Sequence, residues 1–229
     1  MPEIKPAELE SLVGMIVHDL RNPAATMGAN MSFVREVIED PDFDRKEIGE
    51  ALADAQQALH DLTRGLDQLA WIGRWANGTP AANVVIEPVR DTFERVQGRV
   101  KYGALEITPP APELQVRGGE ALERLLELLI ANGHQHAPRG TVRLSASEQG
   151  GQVHIEVEDA GKPLGSELRE RAFTLEGQAA AKGRSEGRYS RVAGLFVAAV
   201  LAQTLDARLE SIERAHQNVF RIVLPVART

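Results

Sequence analysis

The chain contains no cysteine, which excludes a disulfide framework, thiolate metal ligands and a cysteine nucleophile. Aromatic residues are only 4% of its 229 residues, so the core must be assembled from Leu, Val, Ile and Ala. There is no dense block of Lys and Arg, and the formal net charge is -7, a balance that argues against nucleic acid as a direct partner. No run approaches the roughly 18 uninterrupted apolar residues of a membrane span. The stretch Met1–Glu10 carries charged side chains before any apolar run forms, unlike a signal peptide. The expectation is a cytoplasmic protein without membrane insertion, to which a signal comes through a separate upstream sensor protein. What remains is ordinary for a globular chain, 43% hydrophobic and 26% charged residues, enough for one or two cores.

Two periods divide the sequence. From Ala7 to about Asn77 the apolar residues follow a helical rhythm: Leu9, Val13, Ile16, Leu20, Met27, Met31, Val34 and Ile38, then Ile48, Leu52, Ala55, Leu59, Leu62, Leu66 and Leu69. The second series alternates steps of four and three, the seam of a coiled coil or four-helix bundle. Glu39-Asp40-Pro41-Asp42-Phe43-Asp44 is an acidic, proline-containing turn between the two helices. Helices of roughly 30 residues form a hairpin about 45 Å long. One hairpin does not cover both sides of its own seam. Either the chain's C-terminal half covers it or a second copy does, and a homodimer that closes a four-helix bundle is the natural solution.

Ala76-Asn77-Gly78-Thr79-Pro80 reads as a linker and divides the chain into 1–78 and 79–229. Beyond it, strand-like stretches at Leu105–Ile107, Leu114–Val116, Thr141–Leu144, Val153–Val157 and Phe220–Leu224 are interspersed with helical ones at Val89–Val100, Ala121–His136 and Val192–Leu205. This pattern predicts an α/β sandwich, a sheet with helices on one face.

Within the first helix stands His18-Asp19-Leu20-Arg21-Asn22-Pro23. Ile16 and Leu20 lie on the seam, so His18 points away from it into solvent. An exposed imidazole is substantially neutral at pH 7, which leaves a ring nitrogen as a nucleophile. A carboxylate beside it, Asp19, can accept the proton of the other ring nitrogen and fix the tautomer. Asn22 is four residues on, on the same helical face, where an amide can orient a water. Pro23 removes a backbone donor and is expected to bend or loosen the helix just past the site. His60 lies beside Leu59 without such neighbours and reads as structural or solvated. His134 and His136, two apart on a helix, point to different sides and make a poor metal site.

The hexapeptide resembles the H-box of the histidine-kinase dimerisation domain: His, an acidic residue, two variable positions, Asn or Thr, then Pro. The stretch from about Asn83 to Val226 resembles the ATP-binding domain of the histidine kinase, Hsp90, gyrase and MutL superfamily. Leu125–Ala137 resembles the N-box helix, and the resemblance makes Asn132 the Mg²⁺-binding amide. Leu128 stands where a second Asn is usual, and Gln135 where a basic residue is usual. Val157–Leu164 resembles the G1 box, so that Asp159 accepts from the adenine amino group and Gly161 is the first glycine. Pro163 replaces the second. Ala172-Phe173-Thr174 resembles the F-box, and Lys182–Arg191 a lid with two glycines and four basic residues. Val192-Ala193-Gly194-Leu195 stands where Gly-x-Gly-Leu is expected, and Gly194 keeps one of the two glycines.

The resemblance implies ATP and Mg²⁺ as cofactors and a response-regulator receiver domain as partner. Each lost polar contact costs on the order of 1–3 kcal/mol, so three weaken nucleotide binding by a few orders of magnitude. Three readings stay open. The first is a soluble histidine kinase that phosphorylates itself on His18 from ATP. The second is a histidine phosphotransferase, or a receiver phosphatase, that no longer uses ATP. The third is a non-catalytic dimeric scaffold that binds receivers.

Overall fold

The computed structural model describes residues 6–40, 43–76, 84–100, 103–137, 139–161, 163–174, 176–177 and 194–227. The chain separates into two compact units, one spanning Glu3–Gly73 and the other built on Arg74–Thr229. The expected linker 77–80 and lid 182–191 lie outside the described residues, as do Val192 and Ala193.

The first unit is a helical hairpin of α1 (Pro6–Val37) and α2 (Arg45–Ala76). Asp44 caps α2, its Oδ1 accepting from the Lys46 N–H at 2.8 Å. Helix α1 runs unbroken through Pro23. Ile16, Ala51, Ala55, Ala58, Gln68, Trp71 and Ile72 are buried. Leu20 fills the space over Gly65, where an added Cβ would lie 2.3 Å from Leu20 Cδ2.

The expected seam is divided between the hairpin's interior, where Ala55 is buried and Ile48, Leu62 and Leu69 are half-buried, and its surface. Leu52, Leu59 and Leu66 stand exposed, Leu59 at 51%. The heptad holds, yet small alanines one residue before the leucines, Ala51 and Ala58, occupy the interior. Val13, Val17 and Met31 on α1, and Ile38 just past its end, are likewise exposed. The hairpin therefore leaves an apolar stripe on its own surface, running along both helices.

The second unit contains, in order, β1 (Ile86–Pro88), α3 (Val89–Arg99), β2 (Ala104–Ile107), β3 (Gln115–Arg117), α4 (Glu120–His136), β4 (Thr141–Gln149), β5 (Gln152–Asp159), α5 (Ser166–Glu170), α6 (Gly194–Thr204), β6 (Arg208–Arg214) and β7 (Gln217–Pro225). The main sheet runs β2-β4-β5-β7-β6, with β2 parallel to β4 and the remaining pairs antiparallel. A separate antiparallel pair joins β1 to β3.

Alternation along β4, β5 and β7 sorts the faces. Val142, Leu144, Val153, Ile155, Val157, Phe220, Ile222 and Leu224 point to the helical side and are fully or almost fully buried. They pack against Leu122, Leu125, Leu126, Leu129 and Ile130 of α4 and Val197, Ala198 and Leu201 of α6, also buried. Burying such side chains stabilises by roughly 1.5–3 kcal/mol apiece, so this layer dominates the unit's stability.

The opposite face is polar. Glu156 accepts from Arg214 and from Arg221 at 2.7–2.9 Å, and Arg143 bridges Glu106 and Glu158. The Arg214 guanidinium first, and then Arg221, hold the Glu156 carboxyl below its usual range.

Three elements escape the sequence reading, the five-residue α5 among them. Strand β1 is three residues long and includes Pro88, too short for a period to register. Strand β6, Arg208–Arg214, is an edge strand with four charged residues among seven, the composition that keeps an edge from pairing with other chains.

Candidate nucleotide and phosphoacceptor sites

Two separate constellations come from the sequence, one on each unit. On α1 the His18 side chain is 61% exposed, and its Nδ1 lies 3.3 Å from Asp19 Oδ1. The cause is helical phase. Ile16 is buried and Leu20 sits against Gly65, so the residue between them projects outward. Asn22 and Arg21 are exposed on the same stretch. His60 is also exposed, with Arg64 Nη2 2.9 Å from its Nε2.

In the α/β unit the residues of the N-box and G1 resemblances converge at one end of the sheet's helical face. Asp159 ends β5 and is paired across the ladder with Asn218 of β7. Helix α4 comes down onto the same place through Gly133. An added Cβ there would lie 2.8 Å from Val142 Cγ2 and 3.1 Å from Asp159 Cβ, so only glycine permits this approach. Gly161 is likewise held for space. An added Cβ would fall 2.6 Å from Asp159 Oδ1 and 3.1 Å from His136 Cβ.

Asp159 is 1% exposed. Its Oδ1 accepts from the Gly161 N–H at 2.8 Å, and the Asn218 side chain hydrogen-bonds the carboxyl. Oδ2 is buried and has no hydrogen-bond partner among the described residues. Burial pushes the carboxyl's pKa up, and the Gly161 and Asn218 hydrogen bonds and nearby His136 oppose that only in part. A buried carboxylate oxygen without a donor is costly. A ligand N–H would satisfy it, and the amine of a purine fits that demand.

The phosphate side has fewer groups. Asn132 is half-buried near the end of α4, while Leu128, one turn earlier, is a buried apolar residue. Gly194 is half-buried and opens α6. Pro163 stands in the loop between Gly161 and α5. His134 is buried beside Gly103, and burial lowers its pKa; His136 is exposed, so the two rings do not converge. Phe173 of the F-box resemblance packs edge-on against Phe220, with ring centroids 5.9 Å apart. The residues present thus fit a nucleotide's base, and Asn132 is the amide available to a metal ion.

Asn218 is the site residue that sequence reasoning misses. Its signal is an amide directly before the run Val219–Leu224, which is apolar but for Arg221, because a strand end this buried admits a polar side chain only with partners.

Comparison with known proteins agrees with this geometry. The sequence model of the histidine kinase-, DNA gyrase B- and HSP90-like ATPase family matches residues 118–228. A methanogenesis regulatory histidine kinase, FilI of Methanothrix harundinacea, is 25% identical over 179 residues. That match covers 76% of this chain, which spans about a fifth of the relative's length. The solved histidine kinase AdeS of Acinetobacter baumannii has a TM-score of 0.62 at 16% identity, covering 92% of this chain and 98% of that one. Histidine kinase ThkA in complex with the response regulator protein TrrA gives 0.64 at 15% identity, covering 96% of this chain and 63% of that one. At these identities the two structures speak for the fold, a hairpin followed by an α/β sandwich. Residues 118–228 thus match that ATPase family, and the chain as a whole has the hairpin-plus-sandwich fold of the histidine kinases it is similar to.

Proposed function

We propose that this protein carries a phosphoryl group on His18 and exchanges it with the receiver aspartate of a response regulator. The observation that carries the reading is the His18 ring, exposed on a helix face with Asp19 at Nδ1. Asp19 accepts the Nδ1 proton, fixes the tautomer that makes Nε2 the nucleophile and stabilises the charge that develops on the ring. As the Nε2–P bond forms, the bond from phosphorus to the donor oxygen breaks and the leaving oxygen takes the electron pair. Asn22, on the same face, orients a water against an acyl phosphate on a docked receiver, which gives the site a phosphatase direction as well.

ATP, when bound, would supply the γ-phosphoryl group; Asp159 Oδ2 would accept from the base amine, Gly161 would leave room for it, Gly194 would face the phosphates, and Asn132 would hold Mg²⁺. The residues function in two domains, 1–78 and 79–229. The exposed stripe of Leu52, Leu59 and Leu66 supports a homodimer that buries it in a four-helix bundle.

A second reading is favoured by a specific observation. Leu128 and Pro163 replace phosphate-side groups, while the base-side oxygen at Asp159 persists. A protein that still holds adenine weakly yet takes its phosphoryl group from a phosphorylated receiver fits that asymmetry. Incubation with γ-labelled ATP and Mg²⁺ separates the two. Acid-labile label on the wild type and none on His18→Gln is the expected result. An unlabelled wild type that accepts label from a phosphorylated receiver domain selects the second reading, and label on neither route overturns both.

A further inference from the structure

Five glycines lie within the hairpin's two helices, at positions 14, 28, 49, 65 and 73. A helical glycine is less favourable than alanine unless the missing Cβ is needed for space. At Gly14, Gly28, Gly49 and Gly73 an added Cβ meets nothing within 4 Å. Gly65 differs. An added Cβ there would lie 2.3 Å from Leu20 Cδ2 and 3.4 Å from Leu20 Cγ. Leu20 is thus seated against the bare backbone of α2. Ile16 is buried one turn before it on α1, and Leu62 and Leu69 are half-buried on either side of Gly65.

This seat lies under the turn that carries the exposed imidazole. Leu20 is two residues from His18 and from Asn22, and next to Asp19. The turn lacks one support of its own. Pro23 has no N–H to donate to the carbonyl of Asp19, four residues back, and its ring crowds that carbonyl. Helix α1 nevertheless continues through Pro23. We propose that Gly65 is a positioning residue for His18: by seating Leu20 it holds the proline-weakened turn helical and keeps Asp19 at Nδ1 of the ring. With the carboxylate at Nδ1, the proton stays there and Nε2 keeps its lone pair for attack. Were the turn to open, the ring would revert toward the Nε2–H form that free histidine prefers. The inference rests on the phosphoacceptor role proposed above for His18.

Three variants isolate the seat. Gly65→Ala adds the methyl that Leu20 must move to admit, while raising the helix propensity of α2. Combining it with Leu20→Val, a side chain that stops at Cγ, removes the closest approach and restores the fit. Gly49→Ala adds the same methyl in open space and is the control. The donor is labelled phosphoramidate, which needs no docked protein. The Nε2–P bond forms as the P–N bond of the zwitterionic reagent breaks, and the electron pair leaves on ammonia while the Nδ1 proton stays shared with Asp19. Label that His18→Gln abolishes counts as phosphorylation of His18. Its rate in the full chain is expected to fall about tenfold or more in Gly65→Ala and to return to within about threefold of wild type in the double variant. Gly49→Ala should react as wild type does.

A glycine that only spares packing would change the thermal midpoint and leave the rate of the folded protein unmoved. An unmoved rate in Gly65→Ala therefore overturns the proposal, and so does a fall that Leu20→Val does not restore. A readout without phosphoryl transfer keeps the two readings apart. Nitrogen NMR of the neutral His18 ring, assigned from His18→Gln, reports which nitrogen holds the proton. Wild type and the double variant are expected to hold it mainly on Nδ1, and Gly65→Ala to shift it toward Nε2. A wild type that takes no label on His18, with that shift observed, sinks the phosphoacceptor role but upholds the seat. Ring signals alike in wild type and Gly65→Ala sink the seat, whatever is labelled.

Discussion

Replacing His18 costs the fold almost nothing, because its ring is mostly in solvent and its neighbour Asp19 is adjacent in the chain. His18→Gln should leave unfolding free energy within about 0.5 kcal/mol of wild type, measured by urea denaturation, while phosphoryl acceptance falls below detection. Asp159 behaves in the opposite way. Its pKa is raised by burial from an ordinary value of 3.8, so in the window above that value the unfolded chain releases the proton first. Stability contributed by the neutral carboxyl is complete below 3.8 and is lost as pH rises toward the folded-state value. Asp159→Asn is therefore expected to stabilise the unliganded protein at pH 7, by on the order of 1 kcal/mol. The advantage should shrink as pH falls through that window, and nucleotide binding should be lost throughout. Thermal unfolding at pH 7 and pH 4 checks both signs. At this scale the sequence marks His18, Asp19 and Asp159 through short motifs with local spacing. Asn218 is 59 positions from Asp159 (218 minus 159) and becomes its neighbour only through the β5–β7 pairing.

Among the elements, the two tight hairpins of the sheet contrast. Gly150 and Gly151 join β4 to β5 at φ of 60° and 76°, which glycine adopts without strain. The β6–β7 turn puts Ala215 and His216 at φ of 49° and 66°, where side chains are disfavoured. The double change Ala215→Asn and His216→Gly should raise stability by roughly 1 kcal/mol, seen as a higher midpoint in thermal unfolding. The start of α4 depends on a different device. Glu87 accepts from the Gly119 N–H at 2.6 Å and from Thr92 Oγ1 at 2.8 Å, and Arg95 joins it to Glu123. Both carboxylates are largely buried. Arg95→Met removes their shared cation, and the expected loss is on the order of 3 kcal/mol, measurable by chemical denaturation. Helix and strand periods reveal α4 and β5. They do not reveal that Glu87 of a three-residue strand secures the helix that carries Asn132, because that pairing is long-range and carries no period.

For the whole molecule, the consequence of the hairpin's surface is association. Leu52, Leu59 and Leu66 follow one another every seven residues and remain exposed. Covering three such side chains is worth several kcal/mol, at roughly 1.5–3 kcal/mol apiece. Leu59→Glu is expected to halve the mass seen by light scattering while helicity is retained. A wild type that is already monomeric at micromolar concentration would refute the dimer.

The linear chain by itself determined two things about this protein. Its helical and strand periods set a helical hairpin before an α/β layer, and its local motifs placed an imidazole outward on the first helix. These are short-range properties, set by backbone geometry and by which side chains water rejects. Tertiary structure decided which apolar stripe stays uncovered, because Ala51, Ala55 and Ala58 turn into the hairpin's interior while Leu52, Leu59 and Leu66 turn away from it. It also decided what surrounds Asp159, because a buried carboxyl's partners arrive from another strand and from the end of a helix. Burial and donor placement are fixed only when distant segments meet, and they set the chemistry this carboxyl can offer.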